Sequence, residues 1–241
     1  MIDTHAHLNE IEPIEPVISR AKNIGITAIV AVGMDVDSNQ ATLALANRFP
    51  ELVYPAIGYH PWSITAENIE ENLRFIDDNL ATCIALGEVG LDYKTKVKKA
   101  IQWDIFSRLL SLAKRYNRPV IVHSRFSHQR SHQMVADEGI EQAVFHWFSG
   151  PPEILEKIIA DGYYISATPA LSYSPPHQAA MRAAPIEKIL VETDSPVEYQ
   201  GKISEPADLT ITLRELSRIK GRDIEEVRRI TTSNAKRLFG I

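Results

Sequence analysis

The stretch Ile2-Asp3-Thr4-His5-Ala6-His7 opens the chain with an apolar residue and places two histidines two positions apart. In a β-strand, residues i and i+2 point to the same side, so His5 and His7 would project together. Neutral imidazoles are among the commonest metal ligands in proteins. An apolar strand that ends in two histidines indicates a metal site at its carboxyl end. A polar N-terminal segment with two unrelated histidines is the alternative.

Seven further apolar, β-branched runs follow the first one along the chain. The eight runs cover residues 1–7, 27–32, 52–57, 82–88, 119–123, 143–146, 163–167 and 188–194. Segments with helical spacing of apolar residues cover 16–23, 38–48, 66–79, 100–116, 129–137, 152–160, 176–184, 206–219 and 223–239. Strands that alternate with helices predict parallel βαβ units, and eight such units close into a (β/α)8 TIM barrel, an α/β fold. An open, doubly wound sheet is the alternative, but no Gly-x-Gly-x-x-Gly follows the first run.

The composition fits one enzyme-sized unit. The chain has 241 residues, 44% of them hydrophobic, and no Pro/Gly/Ser-rich linker divides it, so we expect a single barrel over 1–241. The sequence contains no run of about 18 apolar residues, so we expect no membrane span. Cys83 is the only cysteine, which predicts a reducing, cytoplasmic location. The formal net charge of −5 argues against a protein coated in basic patches. A monomer is consistent with all of this.

Several of the apolar runs end in a side chain that can bind a metal. These are His5, His7, Glu88, His123, His146 and Asp194. In a (β/α)8 barrel the carboxyl ends of the strands meet at the active-site face, so the six side chains could converge. A charged group that ends a buried run needs a partner, and metal coordination supplies one. Six ligands are enough for two divalent ions, with Glu88 as the candidate bridge. Imidazole and carboxylate donors suit Zn or Mn and suit Mg less well, and the sequence does not fix the metal.

Six motifs in order resemble those of a known family. They are DTHAHL at 3–8, AIGYHP at 56–61, GEVGLDY at 87–93, PVIVHSR at 119–125, FHWFSG at 145–150 and VETDSP at 191–196. The ending TTSNAKRLF at 231–239 fits the same pattern. Together these motifs resemble the TatD family of metal-dependent deoxyribonucleases, within the amidohydrolase-like barrels.

The resemblance implies roles for particular residues. The family's ligands correspond to the same six side chains, and Asp194 would also activate the attacking water, so Glu88, Asp194 and His60 are the catalytic candidates. His60 matches a histidine near the substrate phosphate, and Arg125, next to the ligand of strand five, would face the phosphate too. The substrate implied is DNA, cleaved on single strands or at ends. Lys96 belongs to a basic run, 94–99, that could meet phosphates.

Two positions depart from the family pattern near the expected substrate rim. Phe126 stands where an acidic residue is usual, and Leu109 stands where a second glutamine would follow Gln102. These departures leave the ligand set intact but weaken the case for DNA. A hydrolase of the same superfamily that acts on small amides, esters or phosphoesters is therefore one alternative. A metal-bound scaffold without catalysis is the other.

The sequence also suggests roles for residues around these motifs. Glu192 and Asp3 share strand parity with Asp194 and His5, so each could hold a histidine ligand in place. His128 and His132, four residues apart on a helix, are expected at the surface. Trp62 could stack a base at the rim or pack over the mouth of the barrel.

Overall fold

A sheet of eight parallel strands in chain order forms the centre of the computed structural model, which describes residues 1–241. The strands are β1 (Ile2–Ala6), β2 (Ala28–Val32), β3 (Val53–Ile57), β4 (Ala85–Asp92), β5 (Val120–Arg125), β6 (Ala143–Phe145), β7 (Tyr164–Ala167) and β8 (Ile189–Val191). Each strand pairs in parallel with the next one along the chain. The order never reverses, as it would in a doubly wound sheet. The (β/α)8 barrel expected from the sequence is confirmed.

Nine helices surround the strands, and each lies within a few residues of a predicted segment. They are α1 (Ile14–Asn23), α2 (Val36–Arg48), α3 (Ile69–Asn79), α4 (Lys99–Tyr116), α5 (His128–Glu138), α6 (Pro152–Ala160), α7 (Pro175–Ala183), α8 (Leu209–Lys220) and α9 (Ile224–Phe239). Local sequence fixes several of their starts. The Asp35 side chain accepts from the Ser38 N–H, and Asp223 accepts from the Glu226 N–H. Such caps satisfy amides that a helix start leaves without partners. No helix is both long and apolar enough to cross a membrane.

The barrel closes between β8 and β1 only at its carboxyl end. There the Asp194 N–H donates to the His5 carbonyl at 2.9 Å, and the His7 N–H donates to the Ser195 carbonyl at 2.7 Å. Lower down, the Asn234 side chain of α9 donates to the carbonyl oxygens of Ile186 and Ile189. Three predicted metal ligands, His5, His7 and Asp194, therefore take part in the backbone hydrogen bonds that join β1 to the segment after β8.

Two apolar layers lie on either side of the strands. The inner one contains Ile2, Val30, Val144 and Leu190, with Leu238 and Phe239 of α9 packed against them. The outer one lies between the strands and the surrounding helices. Because residues on both faces of a strand are buried, the strands read in the sequence as unbroken apolar runs.

The structure differs from the sequence prediction at strand four. The predicted run stopped at residue 88, but β4 continues to Asp92. Gly90 makes this possible, because its φ of 148° is one that L side chains rarely adopt and an added Cβ would lie 2.1 Å from the His123 carbonyl oxygen. A short hairpin of β9 (Glu198–Tyr199) and β10 (Lys202–Ile203) was not predicted either.

Candidate metal centre

The six predicted ligands converge at the carboxyl end of the barrel. His5 lies in β1, Glu88 in β4 and His123 in β5, whereas His7, His146 and Asp194 directly follow or lie just beyond β1, β6 and β8. None of the six is more than 9% exposed. The fold therefore brings together every side chain that the sequence nominates as a ligand.

One group of donors surrounds the Oε2 atom of Glu88. The Nε2 atoms of His5 and His7 lie 3.4 and 3.5 Å from this oxygen and 3.3 Å from each other. They lie 3.4 and 3.5 Å from the Oδ1 atom of Asp194. Four donor atoms from three strand ends thus face one small volume.

A second group surrounds the other oxygen of the same carboxylate. The Nδ1 atom of His123 and the Nε2 atom of His146 lie 2.7 and 2.8 Å from Glu88 Oε1 and 3.3 Å from each other. The Nε2 atom of His60 lies 3.4 Å from the same oxygen. Glu88 is therefore the one side chain that faces both groups, with one oxygen toward each.

The donor spacing fits divalent metal ions. Atoms at the corners of a tetrahedron with edges like those around Oε2 lie about 2.0 to 2.1 Å from its centre, which is the length of Zn–N and Zn–O bonds. Buried polar atoms in proteins nearly always have a partner. Here the Nε2 atoms of His5 and His7 face carboxylate oxygens and each other at 3.3 to 3.5 Å, and the Nδ1 atoms of both rings have no hydrogen-bond partner. A ring of nitrogen and oxygen donors without enough partners of its own is the composition of an ion site.

The electrostatics of the cluster show what such an ion would replace. Burial opposes ionisation of Glu88, but the surrounding imidazoles, His146 first among them, hold its pKa well below the usual value. Burial likewise favours neutral His7, but the Asp194 and Glu88 carboxylates outweigh it and raise its pKa to about 10. The pKa of His146 is raised in the same way, against burial, by Glu88. Protonated imidazoles thus balance the carboxylates here, and a cation would take over that charge.

His60 differs from the other imidazoles of the centre. Its Nδ1 atom accepts a hydrogen bond from the Trp62 backbone N–H at 3.1 Å. Burial lowers its pKa to about 4, so the ring is neutral. A neutral ring whose Nδ1 lone pair is in use carries its proton on Nε2. His60 therefore presents an N–H donor to the centre rather than a lone pair.

The backbone around the ligands is tightly constrained. A Cβ on Gly58 would lie 2.4 Å from the Glu88 carbonyl oxygen, so only glycine fits there. The Asn39 side chain holds Gly58 by accepting from its N–H and donating to its carbonyl. Asp194 has a φ of 51°, in the left-handed region that costs energy for a residue with a side chain. Such strain, kept in place by neighbours, is common at functional sites.

The comparison with known families decides the identity. The family described as TatD related DNase matches residues 2–240, nearly the whole chain. The chain belongs to this TatD family. It is therefore a metal-dependent hydrolase, as the order of its motifs implied.

Individual TatD proteins resemble this one over their whole lengths. The metal-dependent hydrolase YabD of Bacillus subtilis is 32% identical, covering 100% of this chain and 99% of that protein. The human deoxyribonuclease TATDN3 is 30% identical, covering 99% and 94%. The crystal structure of the TatD homologue YJJV from Escherichia coli superposes with a TM-score of 0.88 at 25% identity, covering 100% and 98%.

One buried carboxylate of this TatD chain was not singled out as a site residue. Asp92 is fully buried, and its Oδ2 atom lies 3.2 Å from Nε2 of His123 and accepts from the Trp62 indole N–H at 2.6 Å. Although burial opposes ionisation, bonds from His123 and Trp62 lower its pKa to about 2. Asp92 shares strand parity with Glu88, and this signal was available once strand four was known to continue.

Glu192 and Asp3 behave differently from each other. The Oε1 atom of Glu192 lies 3.4 Å from Nδ1 of His146, so it does neighbour a ligand imidazole. Asp3 was expected to do the same for His5, and this is wrong. Its carboxylate accepts instead from the hydroxyl and N–H of Thr193 and from the His5 backbone N–H. Asp3 therefore holds the β1–β8 seam, and burial raises its pKa to about 8.

The remaining predicted residues lie around the TatD centre without contacting it. Arg125 ends β5 and is exposed, and Lys96 is exposed in the loop between β4 and α4.

The prediction that His132 lies at the surface is wrong. It is 8% exposed and its Nε2 atom lies 2.7 Å from Asp161 Oδ2. This partner lies 29 positions later in the chain, so local sequence does not reveal it.

Proposed function

We propose that this TatD hydrolase cleaves the phosphodiester bonds of DNA at a centre of two divalent ions. The observation that carries the proposal is the position of Glu88, whose two oxygens face two separate groups of donors. The carboxylate would bridge the ions, as happens in many two-metal sites that act on phosphate esters. That human TATDN3 is named a deoxyribonuclease supports the choice of substrate.

The ligands divide naturally between the two groups. His5, His7 and Asp194 with Glu88 Oε2 would hold one ion, and His123 and His146 with Glu88 Oε1 would hold the other. Divalent ions bound there would lower the pKa of water and neutralise the charge of the phosphate. Zn and Mn fit these nitrogen-rich donors better than Mg does.

Asp194 is the residue we assign to take the proton from the attacking water. Its carboxylate lies at the edge of the first donor group, and the His5 carbonyl fixes its backbone through a hydrogen bond. Although burial raises the pKa of a carboxyl group, the nearby His7 and His5 imidazoles keep that of Asp194 below its usual value. The carboxylate is thus in the form that can accept a proton.

His60 is the residue we assign to the developing negative charge. Its Nε2–H points toward the centre, near Glu88, and a neutral donor there can bond a phosphate oxygen. A donor fixed in advance stabilises charge in the transition state without reorganisation. Arg125 and Lys96, both exposed, are assigned to the phosphates of the strand beyond the centre.

An assay on labelled single-stranded DNA tests this function. Protein reconstituted with Zn or Mn should shorten the DNA from an end and should act poorly on carboxylate esters and lactones. The mock-reconstituted protein, treated with chelator, is the control. If the reconstituted protein left DNA intact and cleaved a small ester, a small-molecule hydrolase would replace this proposal. If it turned over none of these substrates, the scaffold alternative would be favoured.

Three further properties are proposed with this function. We expect residues 1–241 to act as one catalytic unit, because all six ligands come from a single sheet. We expect a monomer, because the ligands all come from one chain. We expect a cytoplasmic location, since the only cysteine, Cys83, is free and buried.

A further inference from the structure

Trp62 is an exposed aromatic residue beside the metal centre. Trp62 is 58% exposed, although tryptophan is usually well buried. The indole centroid lies 4.7 Å from that of His60 and 5.9 Å from that of His123. The residue thus reaches solvent at the mouth of the site that holds the ligands.

Buried polar groups fix the position of this indole. Its N–H donates to Oδ2 of Asp92 at 2.6 Å, and Asp92 is fully buried. The backbone N–H of Trp62 donates to Nδ1 of His60 at 3.1 Å. Hydrogen bonds thus hold both the backbone N–H and the indole N–H of Trp62. They fix the orientation of an exposed ring, which indicates that this orientation serves a function.

The indole offers a π-face that the protein does not use. The rings of His60 and His123 meet it at 84° and 72°, so neither stacks on it. No lysine or arginine lies over it. Two other aromatic rings have a cation over them, since Nζ of Lys94 lies 5.4 Å from the ring centroid of Phe126 and Cζ of Arg130 lies 4.6 Å from that of Trp103.

We propose that Trp62 is the stacking platform for an unpaired nucleobase next to the phosphate at the metal centre. This inference rests on the proposed DNA substrate and adds a base subsite to it. Base–aromatic stacking tolerates any base, and it requires a base that is free of its complementary strand. Trp62 would therefore select single strands and frayed ends without selecting a sequence.

Asp92 ties this subsite to the ligand set. The same carboxylate oxygen that accepts from the Trp62 indole lies 3.2 Å from Nε2 of His123. One buried group thus sets the position of the base platform and of a ligand imidazole together. A base stacked on Trp62 would be held in a fixed relation to the phosphate that reacts.

The fluorescence anisotropy of a dye-labelled oligothymidylate whose phosphorothioate linkages resist hydrolysis reports binding to metal-loaded protein and tests the proposal. Trp62→Ala should weaken binding by roughly 5- to 100-fold, the range for loss of one stacked base. An oligomer of the same length with abasic sites should bind Trp62→Ala and the natural protein within about 2-fold of each other. Trp62→Phe keeps a π-face but lacks the N–H for Asp92, so its loss should be smaller. Trp103→Phe, a change at a tryptophan whose ring Arg130 already covers, is the matched control and should bind normally.

The outcomes separate this inference from the proposed function. Equal losses on the two oligomers, or no loss on either, would overturn the stacking role, even if labelled DNA were still cleaved. Binding that depends on Trp62 and on the base, in a protein that never cleaves DNA, would overturn the nuclease proposal and support the base subsite. Circular dichroism of Trp62→Ala and Trp62→Phe checks that both variants fold.

Discussion

Two sets of histidines in this protein are both largely buried but have opposite surroundings. Five imidazoles meet at the metal centre, whereas His128, His132 and His177 lie between the helices and strands outside it. His5 and His177 are both fully buried. His177 donates from Nδ1 to the Phe148 carbonyl and accepts at Nε2 from the Thr168 N–H, so the backbone uses both nitrogens. In His5, Nδ1 has no partner and Nε2 faces carboxylates and another imidazole.

The difference teaches that burial alone does not identify a ligand. What separates His5 from His177 is whether the protein itself satisfies the ring nitrogens. The charge differs in the same way between His7 and His177, because carboxylates overcome burial and raise the pKa of His7 to about 10, whereas burial lowers that of His177 to about 4. His60 is the exception at the centre, since its ring is neutral.

The largest expected effect is on catalysis. Glu88→Ala and Asp194→Ala should each reduce turnover by roughly 1000-fold or more, since each removes a group that positions or deprotonates the attacking water. Both should fold, because the ligands lie at the face of the barrel that serves catalysis rather than stability. The measurements are kcat at saturating metal and the circular dichroism spectrum.

Asp161→Ala is the matched control for these variants. It removes the carboxylate that pairs with His132, a buried histidine outside the centre. Turnover should stay within about 2-fold of normal, since this half-exposed pair contributes little even to stability. If Asp161→Ala abolished activity, or if Glu88→Ala retained it, the division between the two sets of histidines would be wrong.

Metal removal should have the next largest effect. The reconstituted protein should contain two ions per chain by elemental analysis. An ion at 100 times its dissociation constant adds about 2.7 kcal/mol to the free energy of unfolding, so two independent sites would add about 5 kcal/mol. A chelator should abolish this gain, as thermal or urea unfolding would show.

A variant at the metal centre and a variant outside it should respond differently to metal. Glu88→Ala should lose the stabilisation by metal, whereas His132→Gln should retain it and bind two ions. A plateau at zero ions in the natural protein would rule out the metal centre. A plateau at one would show that only one of the two donor groups holds an ion.

His177 should make the protein sensitive to acid by about 3 kcal/mol. Its pKa is about 4 in the folded state, against 6.5 in the unfolded chain, so the unfolded state binds more protons between these values. Its contribution is therefore present above pH 6.5 and is lost progressively as the pH falls to 4. Two and a half pKa units correspond to roughly 3 kcal/mol.

His177→Gln should remove this dependence, since a glutamine amide can donate and accept but does not titrate in this range. The difference in unfolding free energy between the natural protein and the variant should shift in favour of the variant as the pH falls from 7 to 4. Urea unfolding of both proteins at several pH values measures it. A constant difference would show that His177 is not held neutral by its surroundings.

The smallest effect concerns exposed charge rather than buried charge. Lys96, Lys98 and Lys99 lie in the loop before α4 and at its start, near the carboxyl ends of the strands. Each phosphate contact on a single strand contributes a slope of about −0.7 to log K against log salt. Replacing all three with alanine should weaken DNA binding several-fold, flatten the salt dependence, and leave hydrolysis of a small phosphodiester unchanged.

Lysines at the opposite end of the barrel provide the control. Lys22, near the end of α1, and Lys236, in α9, are both exposed. Changing them to alanine removes positive charge but should affect neither the salt slope nor DNA binding. Equal losses on DNA and on the small substrate in the loop variant would assign those lysines to folding or to the metal centre instead.

The sequence predicted the fold, and it predicted that the candidate ligands would meet at one face, for a common physical reason. His123 and Asp194 end apolar runs, and such runs mark buried strands whose ends meet at one face. Other features depend on contacts between distant parts of the chain. Strand four extends to Asp92 because Gly90 lets the backbone pass close to His123, and buried His132 pairs with Asp161 from a later segment. Neither partner is visible in the local pattern of either segment.

The seam between β1 and β8 has a consequence for the way the protein is synthesised. Asp3 accepts a hydrogen bond from Thr193, which lies 190 residues later, and Asp194 completes the donor group that begins with His5 and His7. During translation the two histidines leave the ribosome first, and Asp194 follows only after the last strand of the barrel. A chain whose translation stops early carries imidazoles but has no seam to hold them against Asp194. A hydrolase built in this way has its complete set of candidate ligands only when its final strand has been made.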